Sequence, residues 1–305
     1  MKKIFSILVV TFISVTTYAQ QDSQFTQYMY NTVTINPAYA GARNVLSVFG
    51  MHRTQWVGLD GAPLTNVISI NTPIKHTNLG MGVTIINDKI GPSDENSISA
   101  DISYSIKTSE DYKLAFGMKA TANLLNIDFN KLSIYNENDD LASQNVVNRF
   151  SPNIGAGLFL SSDKTYFGLA IPNLLETEHF DTNATAKVAS EKAHVYLMAG
   201  RVYDINADFK FKPSILTKFV KGAPLQADLS ANFIYQQKFT LGVAYRWDAA
   251  ISGLAGFQVN DSWFIGYAYD RDITKISGYS SGSHEIFLRY ELFKDLGKAI
   301  SPRFF

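Results

Sequence analysis

The run Ile98-Ser99-Ala100-Asp101-Ile102-Ser103-Tyr104-Ser105-Ile106-Lys107 changes character at every residue. Ile98, Ala100, Ile102, Tyr104 and Ile106 fall on one side of an extended chain; Ser99, Asp101, Ser103, Ser105 and Lys107 fall on the other. Successive side chains of a strand point in opposite directions, so a period of two marks a β-strand with two unlike faces. The pattern returns where Phe239, Leu241, Val243, Tyr245 and Trp247 alternate with Thr240, Gly242, Ala244 and Arg246. It returns again where Trp263, Ile265, Tyr267 and Tyr269 alternate with Phe264, Gly266, Ala268 and Asp270. A fourth case sets Ile286, Leu288, Tyr290 and Leu292 against Glu285, Phe287, Arg289 and Glu291. One face is apolar with aromatic ends, and the other is small, polar or charged. A soluble sandwich has the same period, but it buries its apolar face against a second sheet and seldom needs so many small residues opposite. Gly and Ala on the polar face suit the crowded interior of a closed barrel. The apolar face of such a barrel meets lipid.

Outward from these runs, alternation predicts strands over 45–53, 64–73, 79–88, 97–107, 112–124, 152–161, 165–171, 193–203, 207–219, 225–235, 238–247, 251–260, 262–271 and 284–293. That makes roughly fourteen, an even number, as in single-chain bacterial barrels. Even-numbered connections are mostly tight: 108–111, 162–164, 204–206, 236–237 and 261. Odd-numbered ones tend to be longer: 89–96, 125–151, 172–192 and 272–283, although 220–224 and 248–250 are short. Tight turns on one rim and long loops on the other are the arrangement of outer-membrane barrels, with turns periplasmic and loops outside. The predicted fold is therefore all-β, a transmembrane antiparallel up-and-down β-barrel of about fourteen strands with periplasmic termini.

Composition agrees without deciding. The 305 residues carry 27 Lys+Arg and 27 Asp+Glu, so no basic field exists to attract nucleic acid. Charged residues are 18% of the chain, below the usual ~25%, and aromatics reach 13%. Mean hydropathy is near zero. A secreted β-sandwich rich in Tyr fits these figures almost as well. The absence of Cys excludes disulfide scaffolds, thiolate zinc sites and cysteine nucleophiles. It also excludes the lipid-anchored Cys of a mature lipoprotein. At the N-terminus Lys2 and Lys3 precede a short apolar run, and Thr17-Tyr18-Ala19 places small residues where a signal peptidase inspects them. Residues 1–19 therefore read as a Sec-type signal peptide, 20–44 as an N-terminal periplasmic or plug segment, and 45–305 as the barrel with a C-terminal tail. Past residue 19 no apolar run approaches the roughly 20 residues of a helical span.

Candidate chemistry is sparse. His52, His76, His179, His194 and His284 fall in separate segments without metal-ligand spacing, so each reads as a rim or loop residue. Glu137, Asp139 and Asp140 lie in the longest loop but lack the calcium-loop pattern. Gly80-Met81-Gly82 sits inside a strand, with no helix after it, and reads as close packing within the wall. Asp101, Arg246, Asp270, Glu285, Arg289 and Glu291 all point inward, and unpaired charges in a narrow lumen are costly, so a mutual ion-pair network is expected. Trp56, Trp247 and Trp263, near strand ends, read as interface girdle residues; sugar-stacking platforms are the sharper alternative. No cofactor is implied, and no nucleophile elbow or acid–base dyad stands out.

The N-terminal segment adds a resemblance. Gln21-Asp22-Ser23-Gln24-Phe25-Thr26-Gln27-Tyr28-Met29-Tyr30-Asn31, then Asn36-Pro37-Ala38-Tyr39-Ala40-Gly41, looks like the opening of the PorP/SprF family of outer-membrane proteins of the type IX secretion and gliding machinery in Bacteroidetes. Arg53-Thr54-Gln55-Trp56-Val57-Gly58, Asp60-Gly61-Ala62-Pro63, Asn87-Asp88-Lys89-Ile90-Gly91-Pro92 and the closing Ser301-Pro302-Arg303-Phe304-Phe305 are similar as well. Ser23 and Thr32 depart from the family's more usual Pro. The resemblance implies a non-enzymatic outer-membrane role, docking or anchoring secreted adhesins or the periplasmic ring. Its implied partners are outer-membrane lipid, that ring, a peptidoglycan-binding lipoprotein or an adhesin, with no small-molecule substrate. Gln24, Phe25, Tyr28, Asn36, Pro37, Tyr39, Arg53, Gln55 and Trp56 are the candidate partner-binding residues, expected to build one packed patch; the plainer reading is that they only stabilise the barrel. A channel for small solutes is the alternative function. A lipid-acting enzyme is a weaker third, since His52, His76 and His284 have no convincing Ser partner in the sequence.

Overall fold

A computed structural model describes residues 24–131, 145–176 and 192–292. The expected signal segment, His179, the Glu137 cluster and residues 293–305 lie outside the described residues. The strands are β1 (Leu46–Thr54), β2 (Leu64–Pro73), β3 (Leu79–Ile90), β4 (Ser93–Lys107), β5 (Lys113–Ile127), β6 (Val146–Ser161), β7 (Thr165–Ile171), β8 (His194–Arg201), β9 (Tyr203–Asp204), β10 (Phe209–Val220), β11 (Gln226–Tyr235), β12 (Phe239–Arg246), β13 (Ala250–Gln258), β14 (Trp263–Asp272) and β15 (Ser283–Leu292). β8 and β9 are two halves of one strand. They keep a single register on β10 (Gly200 opposite Ser214, Tyr203 opposite Phe211) and are parted only at Val202, whose N–H donates to the Lys164 carbonyl at 2.7 Å. Each strand pairs antiparallel with the next, and β15 returns to β1, with Leu46 opposite Leu292 and Thr54 opposite His284. The result is a closed wall of fourteen strands with no free edge, so every ladder position finds a partner within lipid.

The alternation read from the sequence sorts the side chains across this wall. In β4, Ile98, Ile102 and Tyr104 face outward and are about half exposed, while Asp101 and Ser103 are buried within. On β12, Leu241 (65% exposed) and Val243 (61%) face out, while Thr240 is buried inside. Aromatic rings gather at the outer ends of the strands. Near the short turns, Phe209 packs on Tyr235, Phe239 on Phe257 and Trp263 on Tyr290, with centroids 4.7–4.9 Å apart. Near the long loops stand Tyr245, Trp247 and Tyr269, the last with its ring centre 5.2 Å from that of His284. Two aromatic belts around an apolar band are what a bilayer with two headgroup interfaces selects. Trp56 does not join them: it lies in the β1–β2 loop with a φ of 48°, its N–H donating to Ser283 Oγ at 3.2 Å.

The wall is uneven in height. β7 has 7 residues, whereas β4, β5 and β6 have 15, 15 and 16. The predicted loop at 89–96 is therefore paired hairpin, with Asn87 opposite Asn96 and Ile90 opposite Ser93, and the chain turns at Gly91-Pro92. Likewise β6 begins at Val146, inside the expected loop 125–151. Beyond the bilayer both faces of a strand are wet, so apolar alternation ends although backbone pairing continues. Polar links take over there: Asn87 Nδ2 donates to Asp94 Oδ1 at 2.8 Å and to Asn96 Oδ1 at 2.9 Å.

Candidate functional site

The lumen is filled by the chain's own N-terminal segment. Residues 24–43 make three single 3-10 turns, Tyr28–Tyr30, Thr32–Thr34 and Pro37–Tyr39. Short turns suit this segment because backbone groups enclosed by a barrel must find partners locally. Tyr30 N–H donates to the Gln27 carbonyl at 3.0 Å and Asn31 N–H to the Tyr28 carbonyl at 3.2 Å. Asn36 caps the third turn, its Oδ1 accepting from Ala38 N–H at 3.0 Å, with Pro37 at the position where no N–H is needed. The Asn36 amide donates across to the Leu158 carbonyl at 2.9 Å.

The wall supplies the remaining partners. Both oxygens of Glu285 accept backbone N–H groups, from Thr26 at 3.0 Å and from Gln27 at 2.9 Å. Thr26 Oγ1 donates to Asp270 at 2.8 Å, and Gln24 Nε2 to Asp228 at 2.7 Å. Lys119 donates to the carbonyls of Val33 (3.2 Å) and Thr34 (3.0 Å). Ser103 Oγ donates to the Ala40 carbonyl at 2.7 Å. Apolar contacts complete the packing. Tyr28, Met29, Val33 and Tyr39 pack with Phe159, Tyr166, Tyr196 and Leu216, and Phe25 packs with Phe49, Met51, Val67 and Phe287. Glycine makes room where the segment touches the wall: a Cβ on Gly117 would stand 2.0 Å from the Ala38 nitrogen, and one on Gly80 2.1 Å from the Ala40 oxygen. The expected close packing at Gly80 is against the wall, with Ser103 Oγ 2.6 Å from such a Cβ, and against the plug as well.

The plug has a direction. Asp228 lies near the start of β11, and Arg53, Asp270 and Glu285 lie at the β1, β14 and β15 ends beside the long loops. At the far end, Arg43 is paired with Glu291, next to the end of β15 at the short turns. The chain thus enters at the long-loop mouth near Gln24, crosses the lumen, and reaches β1 at the short-turn mouth. β1 begins on the short-turn rim as the strand count requires. Residue 24 lies at the opposite, long-loop mouth; the termini themselves lie outside the described residues.

The sequence-predicted residues divide along this path. Gln24, Phe25, Tyr28, Asn36, Pro37 and Tyr39 belong to the plug, and all but Gln24 are buried. Arg53, 1% exposed, reaches Asp270 at 2.8 Å and Glu285 at 3.0 Å. Gln55 and Trp56 are half-buried in the β1–β2 loop, where Gln55 N–H donates to the Pro63 carbonyl at 2.9 Å. The nine span the height of the lumen and do not form one patch, because a segment that threads a barrel distributes its contacts along the axis. The inward charges form three clusters. Arg53, Asp270 and Glu285 sit beside Arg246, which reaches Asp228 at 3.0 Å. Asp101 pairs with Lys119 at 3.5 Å. Glu291 joins Arg43 and, at 3.6 Å, Arg289. Asp228 and Lys119, which sequence reasoning missed, stand in the inward phase of their strands. Arg43 lies in a segment with no period to reveal it.

Chemically this arrangement anchors: Asp270 and Glu285 hold both Arg53 and the Thr26–Gln27 stretch of the segment. Among the described residues, no group of three or more His, Asp or Glu is placed to hold a metal. His52 Nδ1 lies 2.7 Å from Asn66 Oδ1 on the outer face, and His284 Nδ1 lies 2.6 Å from the Tyr267 hydroxyl.

Solved barrels resemble the fold at low identity. A deletion mutant of the monoaromatic hydrocarbon channel TodX gives a TM-score of 0.50 at 10% identity, over 84% of this chain and 92% of that one. Omp33 of Acinetobacter baumannii gives 0.48 at 8% identity, over 82% and 98%. No curated protein sequence matches. Residues 17–290 match the family described as type IX secretion system membrane protein PorP/SprF. A closed outer-membrane wall, a lumen occupied by its own N-terminal segment and a match over nearly the whole length converge: this chain belongs to the PorP/SprF family.

Proposed function

We propose that this barrel is a docking element of the outer-membrane type IX secretion machinery, holding a secreted adhesin or the periplasmic ring, and that it does not work as a pore. The occupied lumen carries this reading. Residues 24–43 cross it and are fastened at both mouths, by Glu285 and Asp270 at one and by Glu291 at the other. A wall that spends so many buried contacts on retaining a plug is built for rigidity. In this reading the protein is exported by the Sec route with loss of residues 1–19, its short turns face the periplasm, and its long loops face outward. The taller β3–β6 side then stands above the membrane as a platform for an adhesin, and the short-turn rim meets the ring or a peptidoglycan-binding lipoprotein.

A solute channel is the second reading, favoured by cavities on both sides of the plug. One, of about 160 Å³, opens beside Gln24, Asp88 and Glu95, and another, of about 580 Å³, beside Lys238 and Asn260. Planar-bilayer recording separates the two. The docking reading expects no steady conductance from the intact protein, and a stable open level would sink it. Crosslinking from native membranes should then recover a secretion component or adhesin with the barrel.

A further inference from the structure

Three buried oxygens at the long-loop end of the lumen have no hydrogen-bond partner among the described residues: Gln24 Oε1, Thr121 Oγ1 and Asn123 Oδ1. All three residues line one cavity, of about 160 Å³. The arrangement follows from the strand period. Thr121 and Asn123 are successive inward positions of β5, and Ser99 and Ser97 stand directly opposite them on β4. Both serines line the same space. The plug leaves it open because its first residues keep to the far wall. There, on β11, β14 and β15, Asp228 holds Gln24 Nε2, Asp270 holds the Thr26 hydroxyl, and Glu285 holds the Thr26 and Gln27 backbone. Lys119, one inward position further from the long loops, reaches the plug through the Val33 and Thr34 carbonyls. Its charge is answered by Asp101 at 3.5 Å, so the cavity does not call for an anion. Asp88 and Glu95 border the space as well, each with interactions of its own.

We propose that this cavity is a sugar site, taking one neutral hexose ring from the long-loop side. Three physical points converge. Gln24 Oε1 and Asn123 Oδ1 can only accept, so what they lack is donors, and a ring of hydroxyls supplies several from a small volume. An oxygen buried without a donor is costly, and the cost is recovered when a bound hydroxyl donates to it. Phe25, Ile86 and Tyr196 add apolar and aromatic lining, against which the C–H face of a pyranose packs. Size is the third point: a cavity of about 150 Å³ accepts one six-membered ring, so a single unit fits and a chain of them does not. That unit is either a free sugar or the end of a glycan. The inference goes beyond the docking reading and does not rest on it.

Saturation-transfer NMR on the intact barrel, in a detergent without a sugar headgroup, tests it with D-glucose, D-mannose and N-acetyl-D-glucosamine, each titrated alone. Saturable binding of at least one is expected. Thr121→Val and Asn123→Leu should each weaken it about fivefold or more, the scale of one lost hydrogen bond. Neither should lower the stability of the barrel, since the oxygen removed has no partner to lose. Ser97→Leu, which fills the cavity, should abolish binding, whereas Lys238→Gln, at the opposite mouth, should leave it unchanged. A trisaccharide ending in the bound sugar identifies the source: binding as tight as that of the single unit assigns the end of a glycan, and weaker binding assigns a free sugar. Absence of saturable binding to all three probes overturns the site. So does binding that Thr121→Val and Asn123→Leu leave intact. If those two variants do not fold, Ser97→Leu decides, and undiminished binding in it overturns the proposal.

Discussion

Arg53 shows what a single residue does here. Its guanidinium holds two buried carboxylates, and one of these, Glu285, in turn holds the backbone of Thr26 and Gln27. Arg53→Met should cost about 3–5 kcal/mol, because it strands buried charge. Urea unfolding in detergent reads the loss, and adding Glu285→Gln should recover part of it. At Gly117 the constraint is volume. Gly117→Val would press a side chain on the plug backbone, costing about 1–3 kcal/mol if the plug stays and less if it leaves; protease access to the segment around Tyr30 distinguishes these outcomes. Part of this was legible in the sequence. The inward placement of Asp101, Asp270, Glu285 and Arg289 follows from counting by two along their strands. Which cation takes which carboxylate does not follow, because partners meet across the lumen from strands far apart in the chain.

At the scale of the element, the strands are the legible part and the plug is not. Alternation persists only where one face meets lipid and the other the lumen, so β11 to β15 lie close to their predicted bounds, whereas the hairpin of β3 and β4 outruns them into water. The plug has no long repeat to read. Its 3-10 turns are single, and its Tyr, Asn and Gln side chains are chosen by the pocket that each fills. The lipid face makes a direct prediction. Leu241 faces outward midway along β12, so Leu241→Arg should destabilise the folded barrel by about 2–4 kcal/mol, whereas a charge near either aromatic belt costs about 0–1. Folding into liposomes, followed by heat-dependent gel mobility, measures the difference.

For the whole molecule, the direction of the plug sets what each side of the membrane meets. An epitope inserted before Gln24 should be bound by antibody on intact cells, since residue 24 lies at the long-loop mouth. Detection only after the outer membrane is permeabilised would reverse the orientation proposed above. The sequence indicated a closed barrel and left residues 20–44 as either a periplasmic or a plug segment; it did not indicate that the chain crosses the lumen to reach its first strand. That crossing is invisible locally, because no residue type marks the mouth by which a segment enters.

The seam between β1 and β15 bears on how such a molecule is made. A ring that encloses a segment of its own chain resembles a bead on a cord, and shutting it around a cord already laid in place is simpler than threading the cord afterwards. On that ground the seam from Leu46 to Leu292 is expected to pair late, with the sheet curling around Tyr28, Val33 and Tyr39 as though around a mandrel. In that sense the leading twenty-odd residues act as a gauge for the diameter of the finished cylinder.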